Sequence, residues 1–227
     1  YYLVWTTTPW TLPANLGIAA HPDLTYVLIE EKGKSEKLIL EEKLAKAVFA
    51  KQGGEKAYKV LERFRGAALA GRKYEWLVPG FTDKLPSSAH QVFAADYVSD
   101  ESGPGLVPLA PAFGEDDYAV GKLHGLPALD HLDEQGHFLP DAPIAAGKYF
   151  KDADKDVLQF LKAKGALFRH ETLQHSYPFC YRSDTPLIYR AISTWFVNVT
   201  KIKPALIENN RKIHWVPEHL QEGRFGK

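Results

Sequence analysis

Methionine is absent from the 227-residue chain, and cysteine occurs once, as Cys180. A single cysteine excludes an internal disulfide and any cysteine-rich zinc site. Such sparse cysteine fits a reducing compartment, and we expect the cytoplasm. Since no initiator is present and strand-like residues 1–5 open the chain, we also expect a piece of a longer protein.

No charge of either sign is in excess, because 28 Lys and Arg balance 28 Asp and Glu. A neutral domain is not built to hold duplex nucleic acid by bulk charge, so we expect no DNA partner, although a local pocket can accept a single-stranded end. Long apolar runs are also lacking, and none approaches the ~20 residues that a membrane helix needs. Apolar residues still make up 45% of the chain, which suffices for a sizeable core.

Strand-like and helix-like segments follow one another irregularly. Runs of β-branched and aromatic residues predict strands at 24–31, 37–40, 90–98, 166–173 and 186–200. Apolar residues at helical spacing, and acids in a first turn, predict helices at 41–51, 115–124, 152–164 and 203–212. Because there is no regular βαβ alternation, the expected fold class is α+β, with an antiparallel, barrel-like β core and surrounding helices.

The composition changes near residue 172. Beyond it the chain is rich in aromatic residues and contains Trp195, Trp215 and Pro217. We therefore expect residues 1–172 to form one compact domain and residues 173–227 to extend from it as a β-ribbon and a helix.

The most unusual local feature is a threonine cluster at 6–8, which stands between Trp5 and Trp10. Pro9 restricts the backbone there, so the positions of the hydroxyls are set in advance. Each hydroxyl can both donate and accept a hydrogen bond, and such a turn could orient a water and hold a small polar ligand. The alternative interpretation is a threonine-rich strand end that simply turns.

A second feature is the Gly- and Pro-rich stretch 103–113, which leads into Gly114, Glu115, Asp116 and Asp117. A carboxylate fixed beside a pocket would bind an ammonium group well, because an ionised acceptor strengthens the hydrogen bond. The alternative is that Asp116 and Asp117 only complement the positive end of a helix.

Other reactive side chains form no recognisable site. Cys180 has His175 nearby, but a Cys–His nucleophile also needs an orienting group and an oxyanion hole, so a structural cysteine is favoured. The nine histidines show no metal-ligand spacing, and we expect no metal site.

Three ordered motifs identify a resemblance that spans nearly the whole chain. Residues 5–15 resemble the start of the editing (CP1) insertion of isoleucyl-tRNA synthetases, whose valyl and leucyl relatives have an Arg after two threonines. Residues 110–118 resemble the second editing motif. The segment that returns toward the synthetic domain is similar to residues 175–187, and residues 215–217 and 222–226 continue the match.

The resemblance implies a post-transfer editing domain of the class I aminoacyl-tRNA synthetase family. One missing methylene yields only ~1–3 kcal/mol of discrimination, a limit for which the isoleucine enzyme is itself the standard example. A second site must therefore hydrolyse the wrong ester, Val-tRNA(Ile), to valine and tRNA. The implied partners are the 3′ end of tRNA(Ile) carrying valine and the remainder of the parent synthetase, with no membrane. Residues 173–227 would lead back to the parent's synthetic (Rossmann) domain.

By the same resemblance, Asp117 holds the substrate's α-ammonium, and the threonines position the terminal adenosine, the ester or the attacking water. Trp10 is expected to shape the pocket wall. The implied catalytic positions are Thr7, Thr8 and Asp117, and the implied substrate-binding positions are Thr6, Trp10, Asn15 and Asp117. No metal, cofactor or protein nucleophile is implied for editing, since ATP and Mg²⁺ serve only the parent's synthetic site.

Two departures from the family pattern bear on activity. The family loop before the second motif usually has a threonine and a histidine where this chain has Pro104 and Pro108. Proline lacks both the polar side chain and the amide donor. Residues 181–183 also lack the second cysteine found in some bacterial members, so no zinc knuckle is expected.

Two alternative functions stay open. The first is a non-catalytic or weakly editing insertion that binds the tRNA end, which the two prolines would explain. The second is a free-standing editing protein, against which residues 173–227 speak, because such a hydrolase needs no return path to a synthetic core.

Overall fold

The computed structural model describes residues 1–78, 85–172 and 176–226. They form two compact units, Tyr1–Ala191 and Ile192–Lys227. Residues up to 191 belong to the first unit because Arg190 Nη1 donates to the Asp133 carbonyl at 2.6 Å and the Ala191 amide donates to the Ala112 carbonyl at 2.7 Å. The boundary between the two compact units therefore lies after residue 191, later than residue 172, where we predict the editing domain to end. The boundary at 172 concerns function and stays a prediction.

One sheet of the first unit is antiparallel. Strand β2 (Thr25–Glu31) lies between β3 (Lys37–Glu41) and β4 (Tyr58–Arg65). Helix α1 (Glu42–Val48) follows β3 directly, and the Glu41 Oε2 atom caps it by accepting from the Leu44 amide at 2.9 Å. The inward side chains of this sheet pack with Phe49 to form a core cluster of six buried residues: Val27, Ile29, Leu40, Ala45, Phe49 and Ala57.

The other sheet carries the candidate site. Its central strand β1 (Gly17–Ala20) is buried along its whole length and lies between β5 (Gln91–Ala94) and β6 (Leu106–Leu109). Strand β1 pairs parallel with β5 and antiparallel with β6. The α+β class is therefore confirmed, but the predicted antiparallel barrel is not: the described residues show two three-stranded sheets, one of them mixed, and no closed barrel.

Two further helices belong to the first unit. Helix α2 (Glu115–Leu123) begins with three acidic residues, and α3 (Phe150–Ala163) buries Phe150, Ala153, Val157 and Leu161 along one face. Both lie close to where the sequence predicts them. Gly165, with φ of +70°, follows the end of α3, as expected for a residue that leaves a helix in the left-handed region.

Two predicted strands, 166–173 and 186–200, are wrong over their described residues, where the backbone is irregular apart from an isolated β-bridge at Pro186 and helix α4 at the end of the second range. Aromatic residues form a strand only where a neighbouring strand pairs with their backbone donors and acceptors. The Trp195 side chain, for example, is 100% exposed. In the second unit α4 (Val199–Arg211) begins earlier than predicted, because the Asn198 side chain caps the Lys201 amide at 3.1 Å.

Among the described residues, no helix has the length and apolar character that crossing a bilayer requires.

Candidate functional site

A cleft of about 180 Å³ opens in the first unit, beside strand β6. One wall comes from the N-terminal segment and the other from β6 and the loop and helix that follow it. The predicted convergence of the threonines at 6–8 with Asp117 is present, although these residues are far apart in sequence. The lining residues are Trp5, Thr6, Thr7, Thr8, Thr11, Val107, Pro108, Ala110, Phe113 and Asp117.

The threonine wall is held by local hydrogen bonds. The Thr8 amide donates to Thr6 Oγ1 at 3.0 Å, and the Thr6 and Thr8 hydroxyls lie 3.3 Å apart. A 3₁₀ helix, Pro9–Ala14, starts directly afterwards, and Thr11 Oγ1 donates to the Thr8 carbonyl at 2.9 Å. The side chain of Thr7 is exposed. The cluster is thus more than a strand end that turns, because its hydroxyls form one edge of a cleft.

The Asp117 carboxylate is fixed by two tertiary hydrogen bonds. Its Oδ1 accepts from the Tyr97 hydroxyl at 2.7 Å, and its Oδ2 accepts from the Ala110 amide at 2.9 Å. Each carboxylate oxygen can accept a second hydrogen bond, so the group can still receive an ammonium. A role limited to the helix dipole does not explain this geometry, whereas the neighbouring Asp116 is exposed and fits that interpretation.

Burial is the main influence on the charge of Asp117. It raises the pKa of the carboxyl above its ordinary value, and the nearby Asp116 raises it further. The hydrogen bonds from Ala110 and Tyr97 oppose this rise, because both donors favour the ionised form. The ionisation of Asp117 therefore depends on its two donors.

Tyr97 is a site residue that the sequence analysis missed. Burial, followed by the nearby Asp117 charge, raises the pKa of its phenol, so the hydroxyl keeps its proton and acts as a donor. An aromatic residue at the end of a predicted strand is usually interpreted as core. The only available signal was that a buried tyrosine hydroxyl requires a polar partner.

Trp10 and Asn15 lie in the interior and do not line the cleft. Trp10 is 4% exposed and packs edge-on against Phe113, with ring centroids 4.9 Å apart. Asn15 Nδ2 donates to the Gly17 and Leu109 carbonyls at 2.6 and 3.2 Å, and its Oδ1 accepts from the Tyr74 hydroxyl at 2.5 Å. The structure gives both residues supporting positions behind the walls, and their substrate-binding role stays a prediction.

The two prolines occupy different environments. Pro108 lines the cleft on the edge strand β6. Backbone groups of successive residues in a strand point to opposite sides. The Leu109 carbonyl accepts from Leu16 on the β1 side and the Leu106 carbonyl accepts from Trp5 on the other side, so the nitrogen of Pro108, which carries no hydrogen, points away from β1. Pro104 is instead buried, and its carbonyl accepts from the Glu41 amide at 2.8 Å. Of the two prolines that depart from the family pattern, only Pro108 therefore borders the cleft.

Cys180 lies in a turn away from the lining residues. Hydrogen bonds from the Ser183 side chain and from the Arg182 and Ser183 amides lower the pKa of its thiol. His175 falls outside the described residues. Within the ranges that the structure describes, no group of three or more His, Cys, Asp and Glu side chains is arranged to hold a metal ion.

Comparison with known proteins places this chain in a family. Residues 13–227 match the class I tRNA synthetases, the group that serves isoleucine, leucine, methionine and valine. The chain therefore belongs to the class I tRNA synthetase family.

Similar curated proteins include isoleucine–tRNA ligases. The chain is 50% identical to that of Bdellovibrio bacteriovorus over 224 residues, which is 99% of this chain and 21% of the relative. It is 46% identical to the cytoplasmic enzyme of Schizosaccharomyces pombe over 229 residues, again 99% of this chain and 21% of the relative. The chain thus spans about a fifth of the length of these relatives.

Solved structures agree on the fold. The crystal structure of GlLeuRS-CP1 matches with a TM-score of 0.58 at 16% identity, over 77% of this chain and 85% of that one. The editing domain of the P. knowlesi cytosolic leucyl-tRNA synthetase matches with a TM-score of 0.53 at 12% identity, over 73% and 82%. The fold is therefore that of a synthetase CP1 editing domain.

Proposed function

We propose that this chain is the post-transfer editing domain of an isoleucyl-tRNA synthetase and that its cleft hydrolyses Val-tRNA(Ile) to valine and tRNA. The observation that carries the proposal is the convergence of the threonine hydroxyls with the fixed Asp117 carboxylate in one cleft. The identity of 50% and 46% to two isoleucine–tRNA ligases supports the isoleucine enzyme among its relatives.

In this proposal Asp117 accepts hydrogen bonds from the α-ammonium of the esterified valine. That contact fixes the ester carbonyl relative to the hydroxyls of Thr6, Thr7 and Thr8, which hold the ester and the attacking water. Water adds to the carbonyl carbon, the carbon–oxygen ester bond breaks, and the leaving ribose oxygen takes a proton. Hydrolysis consumes water, and the described hydrogen bonds of the Thr6 and Thr8 hydroxyls reach only other threonine groups and no base that would activate a protein nucleophile, so we assign the attack to water.

The cleft acts on one end of a large substrate. The partners are therefore the aminoacylated 3′ end of tRNA(Ile) and the remainder of the parent synthetase, which we place in the cytoplasm. No cofactor takes part in the ester hydrolysis proposed here, and ATP and Mg²⁺ serve only the parent's synthetic site.

The direct test measures deacylation of Val-tRNA(Ile) and Ile-tRNA(Ile) by the full-length parent enzyme. We expect Val-tRNA(Ile) to be hydrolysed faster than in buffer alone and faster than Ile-tRNA(Ile). An enzyme that aminoacylates normally but leaves Val-tRNA(Ile) to decay at the buffer rate would refute the editing proposal.

Such a result would favour the second candidate, an insertion that binds the tRNA end and edits weakly or not at all. The observation that supports this candidate is Pro108 in the cleft wall, where the family pattern has a histidine. A wall without the imidazole has lost a hydrogen-bonding group and some bulk, so both the rate and the exclusion of the isoleucyl ester would suffer.

Pro108→His should raise the rate of Val-tRNA(Ile) deacylation by roughly 2- to 12-fold, the worth of one added hydrogen bond. It should also increase the preference for the valyl over the isoleucyl ester, because the wall regains bulk. The measurement is single-turnover deacylation of both esters by the full-length enzyme.

Pro104→Thr is the matched control, since Pro104 is buried and does not line the cleft. We expect no change in its Val/Ile ratio. If Pro108→His changes neither the rate nor the ratio, or if the two variants act alike, the position of Pro108 has no bearing on editing.

A further inference from the structure

The indole of Trp5 is a cleft feature that the chemistry above does not use. Trp5 lines the cleft next to the threonines, and 41% of its surface is exposed. Its backbone is anchored, because the Trp5 amide donates to the Leu106 carbonyl at 3.1 Å. A large aromatic side chain is thus presented at the cleft on a fixed stretch of backbone.

Gly103 supports the indole. A Cβ atom at position 103 would lie 3.1 Å from the Cβ, Cγ and Cδ2 atoms of Trp5, so the glycine backbone packs directly on the side chain. The φ angle of Gly103 is +68°, which L side chains rarely adopt. The buried Pro104 follows, and its carbonyl is bound by the Glu41 amide. Support from a fixed loop lowers the entropy that the indole loses when a flat ligand stacks on it.

We propose that Trp5, supported by Gly103, is the stacking platform for the purine base of the terminal nucleoside whose ester occupies the cleft. The inference rests on the proposed function and assigns it a base-binding subsite. This chain has no net charge, so it offers little bulk attraction to phosphates. Stacking on an aromatic side chain can supply affinity instead, since every base has a π-face.

The test compares ligands with and without the base. The full-length enzyme is titrated with a non-hydrolysable amide of valine on 3′-amino-3′-deoxyadenosine, and with the same amide on a ribose that lacks the base. Trp5→Ala should weaken binding of the adenosine ligand at least about fivefold and leave binding of the base-free ligand unchanged. Trp5→Phe should restore most of the difference, because a smaller ring still stacks.

Two glycine variants test the support. Gly103→Ala should produce a smaller base-dependent loss, because its new Cβ atom, 3.1 Å from the Trp5 side chain, forces that side chain to shift by a few tenths of an ångström. Gly125→Ala is the matched control: its φ of +67° imposes the same backbone strain, but a Cβ there meets nothing within 4 Å. It should leave binding of both ligands unchanged.

The possible outcomes separate this inference from the editing proposal. If Trp5→Ala weakens the binding of both ligands equally, or of neither ligand, Trp5 is not a platform for the base. This conclusion holds whether or not the enzyme deacylates Val-tRNA(Ile). If binding is base-dependent through Trp5 but Val-tRNA(Ile) is not hydrolysed, the subsite stands and the domain only binds the tRNA end.

Discussion

Asp117→Asn is expected to lower kcat/KM for Val-tRNA(Ile) deacylation about 100-fold, since removing one partner of a buried, hydrogen-bonded charge pair costs roughly 2–5 kcal/mol. The substitution keeps the size of the side chain. It removes the negative charge that would pair with the α-ammonium, and it leaves one oxygen where two now accept from the Ala110 amide and the Tyr97 hydroxyl. The measurement is steady-state deacylation by the full-length enzyme.

Asp116→Asn is the matched control because it makes the same chemical change one residue earlier, on an exposed side chain in the same helical turn. We expect it to reduce kcat/KM less than about fivefold, the scale of a surface charge at a helix N-terminus. Aminoacylation by both variants reports whether the parent stays folded. Equal losses in the two variants, or none in Asp117→Asn, would mean that Asp117 does not hold the ammonium.

Local sequence patterns predicted the elements that depend on local physics. Helix α3 is the clearest case, because its apolar residues share one face and Gly165 follows its end. The pairing of β1 with β5 was not predictable in the same way. The two strands are far apart in sequence, and their parallel direction depends on the path of the chain between them rather than on side-chain alternation.

The candidate site shows the same limit. The threonine cluster and Asp117 could be named because the motifs resemble a family, and the structure brings them together in one cleft. The hydrogen bond from Tyr97, the interior position of Asn15 and the supporting contact of Gly103 are tertiary properties. No local pattern distinguishes a tyrosine that fixes a carboxylate from one that fills a core.

Tyr97→Phe is expected to move the acidic limb of the deacylation pH profile to higher pH. The Tyr97 hydroxyl donates to the ionised form of Asp117 and so opposes the rise in pKa that burial causes. Without that donor the pKa of Asp117 rises further, because burial then acts against one hydrogen bond instead of two. A protonated Asp117 cannot pair with the ammonium, so kcat/KM falls as pH decreases through this pKa, and in Tyr97→Phe the fall begins at a higher pH.

The size of the effect follows from a hydrogen bond to a charged group, which is worth roughly 1.5–3 kcal/mol. At acidic pH, kcat/KM should therefore be more than about tenfold below that of the unchanged enzyme. The gap should narrow as pH rises, since Asp117 is ionised in both enzymes there. Any loss of kcat/KM that persists at high pH measures the poorer positioning of the Asp117 carboxylate. The alkaline limb of the pH profile, where the substrate ammonium loses its proton, should lie at the same pH in both enzymes.

Tyr74→Phe is the matched control, because the Tyr74 hydroxyl donates to the neutral amide oxygen of Asn15 rather than to a carboxylate. Tyr74→Phe also removes a tyrosine hydroxyl near the site, but no carboxylate loses a hydrogen-bond donor. We expect its acidic limb to stay in place, even if the rate falls at every pH because strand β1 is held less firmly. If Tyr97→Phe also lowers the rate by a constant factor at all pH values, Tyr97 supports the fold and does not control the charge of Asp117.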